Sequence, residues 1–485
     1  MTLRLDARHR PVRVVLFALS GLAVGAAFFS MPIRLAGQTP AAAAPVTFTK
    51  DIAPILQRSC QSCHRPNSLA PMSLLTYEET RPYATSIKRR TAIRNRQGVM
   101  PPWYIEKDLG IQQYKNDISL SDEEVAKIAQ WADSGAPRGN AADLPKALTF
   151  ADTESWTIGT PDLVVVTPPV GMKAISPDWW GPAGYGDTGL TEDRYVSAVE
   201  IREVNDSRGR TGPQTVGGLF IFHHAVMSVE TPGGATGAAA ALGGGWPIHE
   251  VGRNADIFSP EAGKLLRAGS RVGFPNVHMH ANGKDTTGHL EVAFTFHPKG
   301  YQPKMNERTM AIGTGDIDIR GMEAGKKIES FQTLTQPTKI TVFEPHMHAA
   351  AVRMCLDAIW GSHMETLSCA GYDHSWVRAY QYADDATPLL PRGTILRVTG
   401  YYDNTPANRN VVDPRNWSGL GHRSIDNMNI LLMQAVGLTD EKFQEEVAAR
   451  RQRLKLKPGE NVPGCPLCAF EKMPVPRAAQ ATRQQ

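Results

Sequence analysis

The chain has 485 residues, a formal net charge of +4 and 41% hydrophobic residues. A prior of about one domain per 100–200 residues suggests two to four domains, and the ordinary apolar content excludes a disordered chain. Part of the small positive charge lies in the first residues, and no long basic stripe appears, so nucleic acid is excluded as an expected partner.

Residues 1–44 read as an export segment. Arg4, Arg8, Arg10 and Arg13 supply a basic start, Val14 to Phe29 an apolar run, and Ala41 to Ala44 a small-residue site suited to signal peptidase. Met31 and Ile33 extend the apolar run, so an uncleaved membrane anchor is the alternative. Both readings predict a periplasmic or other extracytoplasmic location, an oxidising compartment where disulfides persist.

Residues 45–145 predict a small all-α domain. Asp51 to Arg58 suits a short helix; Thr76-Tyr-Glu-Glu79 and Ser121-Asp-Glu-Glu124 have capping-box spacing. The first box opens a helical stretch through Ile93. After the second, Val125, Ile128, Ala129 and Ala132 recur at helical spacing until Gly135 and Pro137 stop the run.

Within this region Cys60-Gln-Ser-Cys63-His64 has the pattern of a c-type haem attachment site. Two thiols three residues apart add to the haem vinyl groups, and the following His64 is the proximal iron ligand. A redox-active dithiol is the competing reading, and the second CxxC, Cys465-Pro-Leu-Cys468, lacks the histidine and is not assigned haem. Met100, in Val99-Met-Pro-Pro-Trp103, is the expected sixth ligand because the prolines forbid helix and keep the segment extended. Met72 is the competitor, and a plain core role is the bland reading of Met100. The other four cysteines, Cys355, Cys369, Cys465 and Cys468, can pair in three ways, of which local pairing is the simplest.

After Leu144 the pattern turns to short β runs: Leu163 to Val166, Leu219 to Phe222, Val292 to Phe296, Ile340 to Phe343 and Ile395 to Val398. Turn residues separate them, as in β-sandwiches. Thr231 to Gly245 is rich in Gly and Ala and reads as a surface insertion, with a lid as the functional alternative. Asp440 to Arg453 predicts a helix ahead of a polar tail.

Six of the fourteen histidines fall in three pairs, His223-His224, His278-Met-His280 and His346-Met-His348. Residues two apart on a strand share a face, so an HxH can offer both imidazoles to one metal ion. Adjacent histidines point to opposite faces, so His223 and His224 can share an ion only where the strand ends or bulges. A polar strand face is the bland reading of each pair. Spacing alone leaves zinc, copper and non-haem iron open; the late Asp426-Asn-Met428 adds a thioether, and imidazole with thioether favours copper.

The order His-His, His-x-His, Pro-His-Met-His and Asp-x-Met resembles the copper type II, ascorbate-dependent monooxygenases, the superfamily of the peptidylglycine α-hydroxylating and dopamine β-monooxygenases. The whole chain is similar to bacterial members with an N-terminal cytochrome c domain. Met-Pro-Pro-Trp103, Trp131-Ala-Asp-Ser-Gly-Ala-Pro137, Trp156-Thr-Ile-Gly-Thr-Pro-Asp162, His278-Met-His-Ala-Asn-Gly-Lys284, Glu344-Pro-His-Met-His348 and Tyr402-Asp-Asn-Thr-Pro406 carry the likeness across about residues 46–435. Two features depart from it: Asn427 stands where relatives commonly have Glu, and Ala349 to Ala351 are small.

The resemblance implies a multidomain chain: the cytochrome c domain, two all-β, jelly-roll-like sandwiches over 150–300 and 301–440, and a tail over 441–485. It implies one haem c and two copper ions. His223, His224 and His278 would hold an electron-donating copper, with His280 ranked below His278; His346, His348 and Met428 would hold an oxygen-binding one, across a solvent-filled cleft. The implied activity is hydroxylation of a C–H bond with O2 on an unknown organic substrate. Electrons would come from ascorbate or a redox protein and be relayed through the haem. A non-catalytic copper-binding or electron-transfer protein is the alternative, and a single structural zinc a third.

Overall fold

The structure is a computed structural model and describes residues 45–66, 68, 70–150, 156–207, 220–233, 245–250, 255–423 and 425–470. The export segment and nearly all of the Gly/Ala-rich stretch lie outside the described residues. None of the described helices is long and apolar enough to cross a membrane.

Helices come before residue 145 and strands dominate after it, as the pattern change at Leu144 predicts. Both capping boxes form. Thr76 opens Tyr77–Thr80 and Ser121 opens Asp122–Asp133, each hydroxyl accepting the N–H three residues on while the glutamate returns to the cap. The stretch predicted to run on through Ile93 is broken instead into Tyr77–Thr80, a 3-10 turn at Arg81–Tyr83 and Ala84–Thr91. Pro82 lacks the N–H that would continue the ladder. The predicted Asp51 to Arg58 helix forms as a π turn, Phe48–Ile52, running into Ala53–Ser59. Ile52, Leu56, Ile128 and Trp131 close a separate helical core, with the Phe48 ring 6.2 Å from that of Trp131.

The strand region has two cores. In the first, Val165, Val292 and Phe294 from an eleven-stranded sheet pack against Phe222, Val277 and Met279 from a five-stranded sheet. In the second, Ile340, Phe343 and Leu431 from the same eleven-stranded sheet pack against Met354, Leu356 and Val398 from a four-stranded one. Each core therefore lies between two sheet layers, and one sheet runs through both. The join is a short parallel pairing of Met305 with Ala262 and Asn306 with Gly263.

Leu163 to Val166 forms a strand of those same bounds, and three of the other predicted runs lie inside longer strands. The run ending at Phe222 begins outside the described residues, and its strand, Phe222–Glu230, starts only at its last residue. The Glu203 carboxylate accepts the N–H groups of both Ile221 and Phe222 at 2.9 Å, so these donors are satisfied without a strand partner.

The segment after helix Ala84–Thr91 leaves the helical core and joins the second β core. Trp103, Tyr104, Ile105, Ile111 and Tyr114 are buried there. Ile105 bridges Ala370, Tyr114 bridges Tyr382, and Arg353 makes a two-point ion pair with Glu106 at 2.5 and 2.9 Å. The cysteines pair locally, Cys355 with Cys369 across paired strands and Cys465 with Cys468. Helix Asp440–Leu454 lays Phe443 and Val447 on a small core that includes the second disulfide.

Candidate functional site: a haem-type loop and a histidine cluster

Cys60 caps the end of helix Ala53–Ser59, and Cys63 and His64 turn back so that both backbone N–H groups reach the Cys60 carbonyl. Gln61 ties the loop down by donating to the Leu74 carbonyl at 2.9 Å. Unlike Cys465 and Cys468, the thiols of Cys60 and Cys63 are free. Burial, then the neighbouring Cys63, pushes the Cys60 thiol up to about 12. His64 is buried, and burial lowers its pKa. Its Nδ1 lies 3.2 Å from the Met72 carbonyl, which selects the Nδ1–H tautomer and leaves Nε2 as the nitrogen for a metal.

Met100 is 42% exposed, which argues against a core role, and lines a cavity of about 1,090 Å³ with Arg94, Val99, Trp103, Leu120 and Val125. Cys60, Cys63 and His64 are not among the residues lining that cavity. Free paired thiols, an imidazole oriented through its second nitrogen and an exposed thioether fit the chemistry of a covalently held haem.

The histidine pairs converge elsewhere. His224 and His278 are opposite each other on paired strands, yet the next pairing is Met279 with Phe222, so His223 is the extra residue of a β-bulge. The bulge re-aims that side chain, which meets the condition the adjacent pair imposes. In the two HxH motifs Met279 and Met347 point into the two β cores, which sends the flanking histidines to the opposite face.

The rings then form a chain. His223 lies 5.1 Å from His278 and 5.9 Å from His280; His224 lies 4.8 Å from His346; His346 lies 5.8 Å from His348, centroid to centroid. A metal–nitrogen bond of about 2.0–2.1 Å puts two imidazole centres about 5 Å apart at a tetrahedral angle. Trp180 stacks flat on His278 at 4.6 Å, and Asp178 accepts from His278 Nε2 at 2.9 Å.

Two functional side chains escape the sequence motifs. Glu250, cross-strand partner of His224, has Oε1 2.6 Å from His224 Nδ1, and His346 Nδ1 approaches the same oxygen at 3.1 Å but off the hydrogen-bonding direction. His224, Glu250 and His346 form a buried group able to hold a metal ion. Burial alone would raise the Glu250 pKa; His224 and His346 more than offset that and hold it well below the usual carboxylate range. His374 is the other, 5.1 Å from His223 and 5.4 Å from His348. Burial lowers the pKa of His223, His278, His280, His348 and His374, with His374 at about 4; neighbouring histidines add to it at His223 and His348, while Asp178 opposes it at His278 and His280 and Glu250 at His374.

His223, His224, His278, His346, His348 and His374, with Trp180, Glu250 and Val377, enclose a cavity of about 10 Å³; His280 is not among its lining residues. The two predicted ligand groups are therefore close together here, not on opposite sides of a wide cleft. Met428 does not line that cavity; its carbonyl accepts from the Tyr402 hydroxyl at 2.8 Å. Nδ1 of His223, His346 and His348 and both nitrogens of His374 are buried without hydrogen-bond partners. So many orphaned imidazole nitrogens facing one small space fit a transition-metal ion, and a donor set of nitrogen with one carboxylate suits zinc, copper or iron.

Fold and site together define a mainly β protein with a buried histidine–carboxylate cluster of metal-binding type. No protein-family profile and no curated protein matches the chain. Among solved structures, the major capsid protein P2 of bacteriophage PM2 aligns at 9% identity and a TM-score of 0.27, over 54% of this chain and 97% of that one. The tandem carbohydrate-binding domain of Paenibacillus barcinonensis Xyn10C aligns at 9% identity and 0.14, over 59% and 100%. Likenesses this weak carry no argument about function.

Proposed function

We propose that the chain is an exported oxidoreductase dependent on haem c and copper, a monooxygenase that hydroxylates a C–H bond with O2. The observation that supports this reading is the convergence of His223, His224, His278, His346 and His348 on one buried cavity, while a separate CxxCH loop presents free thiols and an oriented His64. The finer fold assignment, a cytochrome c domain before two jelly-roll-like sandwiches, belongs to the same proposal.

When bound, copper would supply one-electron chemistry with O2, and haem would relay electrons drawn from ascorbate or a redox protein. The residues of this chain set the conditions. Glu250 fixes the ring of His224 and stands beside that of His346, Asp178 and Trp180 hold His278, and burial disfavours the charged forms of His223, His278 and His348. The segment carrying Met100 is anchored in the second β core beside His374, giving the haem region and the cluster one rigid connection.

A second reading has its own observation: a cavity of about 10 Å³ leaves no room for an organic substrate, which favours copper binding or electron transfer without catalysis. Two experiments separate the readings. Elemental analysis of protein from an exporting host should give about two coppers and one iron per chain, falling to about one copper in His346→Ala. Oxygen uptake coupled to a hydroxylated product across a panel of C–H substrates, abolished by His348→Ala with the haem spectrum intact, supports the enzyme. Copper without any coupled uptake leaves the binding protein, and iron without copper removes both.

A further inference from the structure

His374 belongs to none of the sequence motifs, yet it occupies the middle of the cluster. It lies in the turn after strand His363–Gly371, where Asp373 accepts the Ser375 N–H through its carboxylate at 3.0 Å and the Trp376 N–H through its carbonyl at 3.0 Å. The turn is therefore fixed from both sides of the histidine. Its ring stands between His223, from the five-stranded sheet, and His348, just beyond the end of strand Thr338–Met347.

An imidazole has two hydrogen-bonding nitrogens, and leaving a buried one unpartnered is destabilising. Among the described residues His374 is the histidine with both nitrogens buried and unpartnered. The facing rings of His223 and His348 each have an unpartnered Nδ1 as well. Separations of 5.1 and 5.4 Å match two imidazoles on one tetrahedral ion, about 5 Å apart.

We infer that His374 is a ligand of the metal centre, held between His223 and His348. His224, Glu250 and His346 are the group whose ligand atoms already lie within 4.8 Å of one another. Histidines from both halves of the strand region line the one cavity, so the partition is not one half per metal. The inference rests on the cluster being a metal centre; it does not require hydroxylation.

The test uses the full haem-loaded chain stripped of other metal and titrated with Zn(II) or Cu(II) alone, with bound metal read by elemental analysis and Cu(II) by EPR. His374→Gln is compared with wild type and with His363→Gln, whose side chain is 56% exposed. The expected result is about two ions in wild type and His363→Gln. His374→Gln should keep one, bind the second at least tenfold more weakly, and show changed Cu(II) hyperfine coupling. Wild-type affinity for both ions in His374→Gln overturns the inference and leaves the copper reading standing; no ion in wild type overturns both. Should His374→Gln not fold, His374→Ala refolded with imidazole decides: imidazole-dependent return of the second ion supports the ligand role, and a folded protein without it overturns that role.

Discussion

The backbone N–H of Gly98 donates to the carboxylate of Asp373 at 3.0 Å, across 275 positions of sequence. Gly98 is two residues before Met100 and Asp373 one residue before His374, so one hydrogen bond joins the thioether loop to the histidine cluster. The Tyr104 hydroxyl reaches the same oxygen at 3.5 Å. Removing this carboxylate strands several donors. Asp373→Ala is expected to cost about 1–3 kcal/mol in denaturant unfolding and to weaken metal binding, with Asp373→Asn milder because it keeps one acceptor oxygen. Wild-type stability and metal affinity in Asp373→Ala would dissolve the link.

Met72 and Met100 are separated by how each is used. Met72 serves His64 through its main-chain carbonyl, which alanine retains, whereas Met100 presents its side chain to the open cavity. In the haem-loaded protein Met100→Ala is expected to lower the reduction potential and alter the haem spectrum, while Met72→Ala leaves both near wild type. Spectroelectrochemistry of the two variants checks this, and the reverse pattern would move the sixth ligand to Met72.

What the sequence makes legible is local. The boxes at Thr76 and Ser121 act over three residues, and the HxH motifs read directly as one strand face because Met279 and Met347 alternate into the cores. The bulge at His223 is legible as a requirement, not as a position. Glu250 and His374 are not legible, because neither has a motif and each arrives through a long-range contact: strand pairing with His224 for one, a turn beside the loop before Met100 for the other. The residues Val99 to Tyr114 look like part of a helical domain for the same reason, since the β core that buries them is more than 190 positions away.

Glu250 is the acid that decides how the cluster is held. Its Oε1 meets Nδ1 of His224 at 2.6 Å and lies 3.1 Å from that of His346, so the carboxylate is positioned either to orient the His224 ring or to ligate directly. Glu250→Gln is expected to weaken metal binding by about 10–100-fold, the effect of losing a partner that orients metal-binding histidines. A larger loss, with one ion missing at any concentration, would make Glu250 itself a ligand. Competition titration with a chromophoric chelator gives the affinity, and an unchanged value would reduce Glu250 to a buried ion pair.

The lowered imidazole pKa values fix the sign of the pH dependence. His223, His278, His280, His348 and His374 all lie below the ordinary 6.5, with His374 at about 4. A depressed folded value means the unfolded chain takes up protons first, so stability is fully present above 6.5 and is lost as pH falls toward the folded values. The metal-free protein should therefore show a flat denaturant midpoint above about pH 7 and a fall between about pH 6.5 and 4. Metal binding at about pH 6 separates the cases further. An unperturbed imidazole would release roughly three-quarters of a proton there, whereas His223, His348 and His374 are already neutral and should release almost none. Calorimetry in two buffers of different ionisation enthalpy measures that number, and release near three-quarters per ligand would show that the rings titrate as solvent-exposed histidines do.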